Sequence, residues 1–381
     1  MNYILVDTNK KSFLPLTYTR PVSDLRIGIF KIYEKWEKML GSRVSQLTES
    51  YLGGKFPVKF GDKNVFINSK FLPTPLLIEQ IEYLELNQKL IAGNDWVAFC
   101  SDSQEVNISS SMPSFPADTD IVIENWWDLF KENGKAIESD IRHLEIPNWT
   151  QLSPTNLVIG NESDLFIHPT AIAEGVTFNT TNGPIYVAES CTIMEGACIK
   201  GPFAMLEMAT VKMGAKIYEG TTIGPKCKVG GEIKNSMFSG YSNKSHDGYI
   251  GNSVIGEWVN LGANTNNSNL KNTLGTVKVW DYQSKSLVDT QEQFLGCCIG
   301  DYSKTSINTS INTGTSIGLN CNVFGTGLTN KFIPNFSWGP DNKVRFNIEK
   351  AIDINNKMAY LTGESLSEQD HAILGFIHKM G

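Results

Sequence analysis

The chain has 381 residues and a formal net charge of −7, long enough for two domains and too acidic to suggest a nucleic-acid partner or an anionic membrane surface. No window approaches the ~20 consecutive apolar residues of a membrane span, and the start "MNYILVDTNKK" has no basic region leading into an apolar stretch, so a soluble, cytoplasmic protein is expected. Seven scattered cysteines, with one adjacent pair (Cys297 and Cys298) and no Cys-x-x-Cys, indicate neither a disulfide framework nor a zinc knuckle.

In chain order, "NYILVD" (2–7) reads as a buried strand. The following "LPLTYTRPVSDLRIGIFKIYEKWEK" ends in an amphipathic helix over 29–40 and gathers Arg20, Arg26, Lys31 and Lys35 into one short span that fits a triphosphate cradle. "NVFINSKFLP" (64–73) reads as a strand ending in a turn, "TPLLIEQIEYLEL" as a helix and "WVAFC" (96–100) as a further strand. This alternation predicts an α/β sheet with ligands near the carboxyl ends of its strands. "EIPNWTQLSPTNL" (145–157), with two prolines, reads as a linker.

Beyond it the sequence repeats with period six. Val187, Ile193, Ile199, Met205, Val211, Ile217, Ile223 and Val229 are all aliphatic or Met, and the residue four places after each is mostly small. The frame returns at Ile255 and Leu261 and again from Ile299 to Val323. A six-residue period suits neither a helix nor a long alternating strand. It suits a coil whose flat faces each point one aliphatic side chain inward before a corner, three faces to a turn, with glycine in the corners. The repeat breaks at about 235–249 and 267–298, and both breaks are expected to leave the column as loops, the first carrying His246. After 340, "NIEKAIDINNKMAYL" and "SLSEQDHAILGFIHKMG" have helical spacing, the second with a Ser-x-x-Glu or Ser-x-x-Gln cap, and are expected to cover the coil's end or a neighbouring subunit. The expected organisation is an α/β domain over 1–150, a linker over 151–164, a parallel β-helix over 165–340 and a helical tail over 341–381.

The period-six pattern resembles the hexapeptide-repeat family, which implies a left-handed β-helix, assembly as a homotrimer and acyl transfer from acetyl-CoA. "HDGYIG" followed by "VIGEWVNLGANT" further resembles the acetyltransferase half of the GlmU-like family, whose motif is H-x-x-Y-[IL]-G and then V-N-[IL]-G-A. By this resemblance His246 is the general base, Lys234, Tyr249, Asn260 and Asn269 bind an amino-sugar phosphate, and Ala263 lines the acetyl-CoA site. The residue types agree: an amine attacking a thioester must lose a proton, which an imidazole can accept near neutral pH. Two departures stand out, Leu270 after Asn269 where the family has tyrosine, and a longer following loop. Lys244, Lys271 and Lys278 are open both to coenzyme A phosphates and to plain solvation.

"LTYTRPVSDLRIGIFKIYEKW", "INSKFLP" and "WWDLFKENGKAIESDI" resemble the N-terminal domain of an alternative GlmU-like family described from Bacteroidetes, and with "KFIPNFSWG" the resemblance runs from end to end. It implies an α/β nucleotidyltransferase-like domain, uridylyl transfer from UTP with Mg, and UDP-N-acetylglucosamine, a cell-wall precursor, as product. The G-x-G-T-R loop of ordinary sugar nucleotidyltransferases is absent, so Arg20, Arg26 and Lys35 are expected to hold the nucleotide phosphates. Metal binding needs carboxylates near the strand ends, and Asp7 and Asp140 are named for it, with turn capping open for Asp7. The alternative is a sugar-1-phosphate nucleotidyltransferase of other specificity whose β-helix is only an assembly platform. A metal-dependent hydratase would need three histidines in the repeat region, which holds His168 and His246.

Overall fold

The computed structural model describes residues 1–144, 152–339 and 343–380. The N-terminal domain is a six-stranded sheet in the order 44–47, 2–6, 64–68, 95–101, 89–92, 114–116. The first three strands are parallel, and the strand Asp95–Ser101 then joins antiparallel to Asn64–Asn68. Helix Ile32–Leu40 starts where the Glu34 carboxylate accepts from the Lys31 amide and stops at Gly41, whose φ of 60° closes the last turn. Helix Pro75–Glu82 is capped by Thr74, with proline in its first turn. From strand 2–6 the chain goes first to 44–47 on one side and then to 64–68 on the other. The switch point of the sheet therefore lies at the carboxyl end of strand 2–6.

The repeat region is a parallel β-helix with three faces. The first runs from Leu165–Ile167 to Phe332–Ile333, the second from Ile172–Ala173 to Ser337–Trp338, and the third from Leu157–Ile159 to Tyr249–Gly251. The coil thus begins at 157, inside the stretch read as a linker; residue 151 of that linker lies outside the described residues, as do 340–342 at the other boundary. Val187, Met205, Ile223, Phe238, Ile255, Ile299, Ile317 and Ile333 stack in register down the inside of the first face, and the small residues Cys191, Ala197, Ala209, Ala215 and Cys227 are buried at the corners.

Two expectations about the breaks separate here. The segment 235–249 does not leave the column: the inward residues Val229, Ile233, Phe238, Lys244, Ile250 and Ile255 continue it, and only the spacing shortens to four and five residues on some faces. His246 consequently stands on a corner of the coil, not on an excursion. The second break does leave. Residues 268–296 project as a loop carrying the hairpin Lys278–Asp281/Ser286–Asp289, and Val277, Val279 and Leu295 pack into the core of the N-terminal domain.

The domains are joined along the first face. Its outward column is Tyr186, Ala204, Thr222, Met237, Val254, Cys298, Ser316 and Phe332. Met237, Val254 and Cys298 are fully buried in the N-terminal core, and Ala204 lies under Ile29 and Ile137. Asn133 ties the two by donating to the Gly220 carbonyl and the Thr222 hydroxyl, both at 2.9 Å, while accepting from the Gly28 amide at 2.8 Å.

The corners between the first and second faces take the left-handed conformation without glycine, at Lys226, Tyr241, Trp258, Tyr302, Asn320 and Phe336. Packing outweighs the backbone cost: Tyr241, Trp258 and Tyr302 stack with centroids 4.2 and 6.2 Å apart, under helices Ile348–Leu361 and Glu368–Met380. The tail therefore lies along this edge, wedged between coil and N-terminal domain through Leu52. Its last helix is capped reciprocally by Ser367 and Asp370 in place of the Ser-x-x-Glu or Ser-x-x-Gln pair expected.

Candidate functional site

The residues named for acetyl transfer are distributed along the third face, the end of the second face and the two corners that bound the third. Strands Glu232–Lys234 and Tyr249–Gly251 are neighbours, with Lys234 opposite Gly251. The Tyr249 hydroxyl accepts from the Asn269 amide at 3.0 Å, and the same amide donates to Asn252 at 2.7 Å. Lys234 is exposed, with its ammonium 5.9 Å from the Tyr218 ring centre. Around the corner, the Asn260 side-chain oxygen accepts from Asn243 at 2.9 Å, leaving the Asn260 amide hydrogens to donate outward. His246 and Asp247 are exposed on the corner itself; Ala263 lies on the next one, its carbonyl accepting from the Asn308 amide at 2.8 Å. Asn269 is held by the neck of the projecting loop, where its carbonyl accepts from the Leu295 amide at 2.8 Å. Of the open lysines, Lys271 donates to the Thr276 carbonyl at 3.0 Å and Lys278 is exposed, whereas Lys244 is buried inside the coil.

Gly251 has a role the motif alone does not explain. The Tyr249 hydroxyl occupies the space a Cβ there would fill, so the tyrosine ring folds back over the strand. Gly251→Ala is expected to displace Tyr249 from Asn269 and lower acetyl transfer about tenfold or more, through the acceptor KM, while the melting temperature changes little. Steady-state kinetics with the acceptor varied would check this.

In the N-terminal domain the structure puts the named cations into ion pairs. Arg20, 7% exposed, meets Glu257 and Asp301 of the coil, each at 2.6 Å. Lys35 pairs with Asp140, whose other oxygen accepts from the Ile29 amide at 2.7 Å, and burial lowers the lysine's pKa against the pull of that carboxylate. Arg26 donates to the Ile29 carbonyl. Arg20, Lys35 and Arg26 thus have protein partners and do not converge on one open cradle. Lys35 and Asp140 instead line a cavity of about 790 Å³ between helices 32–40, 75–82 and 133–142, together with Lys38, Asp118, Asp120 and Arg142.

The switch point holds a different set, which the sequence reading did not single out apart from Asp7. Asp7 accepts from the Val22 amide at 2.7 Å and the Thr48 hydroxyl at 2.5 Å. Thr8 donates to Asn68; Lys10 meets Glu49 at 3.0 Å; Lys70 meets Asp95 and Glu124, both at 2.7 Å. The readable signal was position, since Asp7, Thr8, Lys10, Thr48, Glu49, Asn68 and Lys70 each end a strand or follow one within a few places. Asp7 and Asp140 belong to separate clusters, and among the described residues no three His, Cys, Asp or Glu side chains are grouped to hold a metal ion. The two carboxylates do not form a magnesium site together.

Burial raises the Asp7 carboxyl to about 6, overcoming the opposite pull of Thr48, Val22 and Lys10. The folded state therefore holds this proton where the unfolded chain has released it, and stability falls as pH rises from about 4 to 6. Asp7→Asn is expected to stabilise the protein by about 1–3 kcal/mol above pH 6 and by nothing at pH 3, which denaturant unfolding at the two pH values would measure.

Residues 3–146 match the family model described as sugar nucleotidyl transferase. The similar proteins are named as bifunctional. The bifunctional protein GlmU of Methanocaldococcus jannaschii is 33% identical over 133 residues, 35% of this chain and 30% of that one. The bifunctional sugar-1-phosphate nucleotidylyltransferase/acetyltransferase of Sulfurisphaera tokodaii is 30% identical over 151 residues, 39% and 37% of the two chains. The matches thus span about a third of these relatives' length. Among solved structures, the UDP-N-acetylglucosamine acyltransferase from Campylobacter jejuni aligns with 59% of this chain and 95% of its own at 12% identity, with a TM-score of 0.21. No helix among the described residues is long and apolar enough to cross a membrane.

Proposed function

We propose that this chain is a bifunctional transferase of UDP-N-acetylglucosamine synthesis, working in the cytoplasm as a homotrimer. The coil acetylates glucosamine-1-phosphate from acetyl-CoA, and the N-terminal domain couples the sugar-1-phosphate to UTP. The observation that carries the reading is the hydrogen-bonded set Tyr249, Asn269 and Asn252 beside Lys234, one corner from His246.

In the acetyl transfer the amine nitrogen attacks the thioester carbonyl, His246 takes the proton the amine gives up, and the carbon–sulfur bond breaks to release a thiolate, which receives that proton from the imidazolium and leaves as the thiol. Because Tyr249 accepts from Asn269, its own proton is free for a sugar oxygen, and the Asn269 side-chain oxygen can accept from a hydroxyl. Lys234 sets a point charge against the phosphate, and Ala263 offers a small wall to the acetyl-CoA chain. For uridylyl transfer, Lys10 and Lys70 at the switch point would exchange their partners Glu49, Asp95 and Glu124 for the nucleotide phosphates; the acceptor phosphate oxygen attacks the α-phosphorus of UTP and pyrophosphate leaves.

Thiol release from acetyl-CoA with glucosamine-1-phosphate, and pyrophosphate release from UTP with the acetylated product, test the two halves separately. Both signals are expected. Pyrophosphate without thiol release would leave the coil an assembly platform, and neither signal would sink the proposal.

A further inference from the structure

The inward positions of the second face run Ile193, Val211, Val229, Lys244, Leu261 and Thr305, one lysine in an otherwise mostly aliphatic column. Lys244 is 1% exposed. Its ammonium turns toward the corner and donates to the carbonyl of His246 at 2.5 Å. An aliphatic residue would fill this position without desolvating a charge, and among the described residues no carboxylate pairs with the ammonium inside the coil. Burial accordingly lowers its pKa to about 8, with Asp247 on the same corner pulling the other way.

What the lysine supplies that an aliphatic residue cannot is this one bond. The corner it reaches is tightly made: Gly248 has a φ of 121°, and a Cβ on Gly230 would come 2.6 Å from the Ser245 carbonyl oxygen. With its carbonyl tied inward, His246 presents its ring outward, and among the described residues no side chain bonds that ring. The orientation of the imidazole therefore depends on how firmly the backbone beneath it is held.

Resting on the acetyltransferase reading, we propose that Lys244 is a positioning residue for the base: it anchors the His246 carbonyl to the coil interior and so fixes the direction in which the imidazole meets the amine. Misplacing a base by about 1 Å costs on the order of 100-fold in rate.

The test compares Lys244→Met, which keeps the apolar stem and removes the donor, with Lys244→Gln, which restores a neutral donor, in the full chain. Acetyl transfer to glucosamine-1-phosphate and amide hydrogen exchange over 245–248 are both read. Lys244→Met is expected to lower kcat about 10- to 100-fold with the acetyl-CoA KM within about twofold, to speed exchange at the corner about tenfold, and to keep or raise the melting temperature. Lys244→Gln recovers part of both losses. Unchanged kcat and exchange in Lys244→Met would overturn the proposal, as would a loss that follows a fallen melting temperature and is not recovered by glutamine. Should the native chain show no acetyl transfer, the reading of the site fails by itself. Exchange over 245–248 then decides whether Lys244 holds the corner, and unchanged exchange overturns that as well.

Discussion

His246→Ala is expected to reduce acetyl transfer by about 10²- to 10⁴-fold while pyrophosphate release from UTP continues at the native rate. The size follows from the chemistry: without a base, the proton of the attacking amine must go to water. The selectivity follows from the architecture. His246 stands on the edge between the second and third faces, whereas the N-terminal domain packs on the first. The side chain is exposed and makes no hydrogen bond to another described residue, so its removal should shift stability by no more than about 0.5 kcal/mol. Thiol release and thermal melting on the same preparation would check all three statements. A mutant that keeps native thiol release would remove the base from the mechanism.

Arg20→Met is expected to cost about 3–5 kcal/mol, the largest stability effect of a single substitution proposed for this chain. The guanidinium sits between Glu257 and Asp301, and Asp301 in turn accepts from the Thr19 hydroxyl and from the Glu257 amide. Arg20 holds Glu257 down to about 2 despite burial, while burial and the neighbouring Glu257 charge raise Asp301. Removing the cation leaves two carboxylates facing each other at the junction of coil, N-terminal domain and tail. The triple variant Arg20→Met, Glu257→Gln, Asp301→Asn should recover most of the loss, because it removes the charges along with their partner. Denaturant unfolding of the single and triple variants measures this. An unchanged midpoint for Arg20→Met, accompanied by a tenfold higher UTP KM, would instead return Arg20 to the nucleotide site.

Much of the coil was legible because its period is enforced by geometry: nearly every inward position is apolar, Lys244 and Thr305 on the second face excepted, and the corners are small or left-handed. The register shift after Val229 was not, since two short faces imitate an insertion when residues are counted in sixes. The docking of the domains was written in the residues beside the inward column. Tyr186, Ala204, Met237, Val254 and Cys298 on the first face contrast with Thr192, Thr210, Lys228, Asn243 and Asn260 on the second, a contrast visible only once the faces are told apart. Arg20 and Lys35 show the limit in the N-terminal half. A cation's neighbours in sequence do not reveal whether its partner is a phosphate or a carboxylate some 280 or 105 positions away. The same holds for Lys244, which sequence places on a loop and the register places inside.

The three-sided coil has three long edges, and the decorations of this chain are distributed unevenly among them. Helices 348–361 and 368–380 run over the aromatic edge, and helix 133–142 with the projecting loop occupies the one through Gly220 and Asn252. The remaining edge passes through Glu195, Met213, His246, Asn264 and Ile307, and those residues are exposed from rung to rung. On the acetyltransferase reading, a long, flexible cosubstrate would meet this margin of the single chain without any described part of it swinging aside.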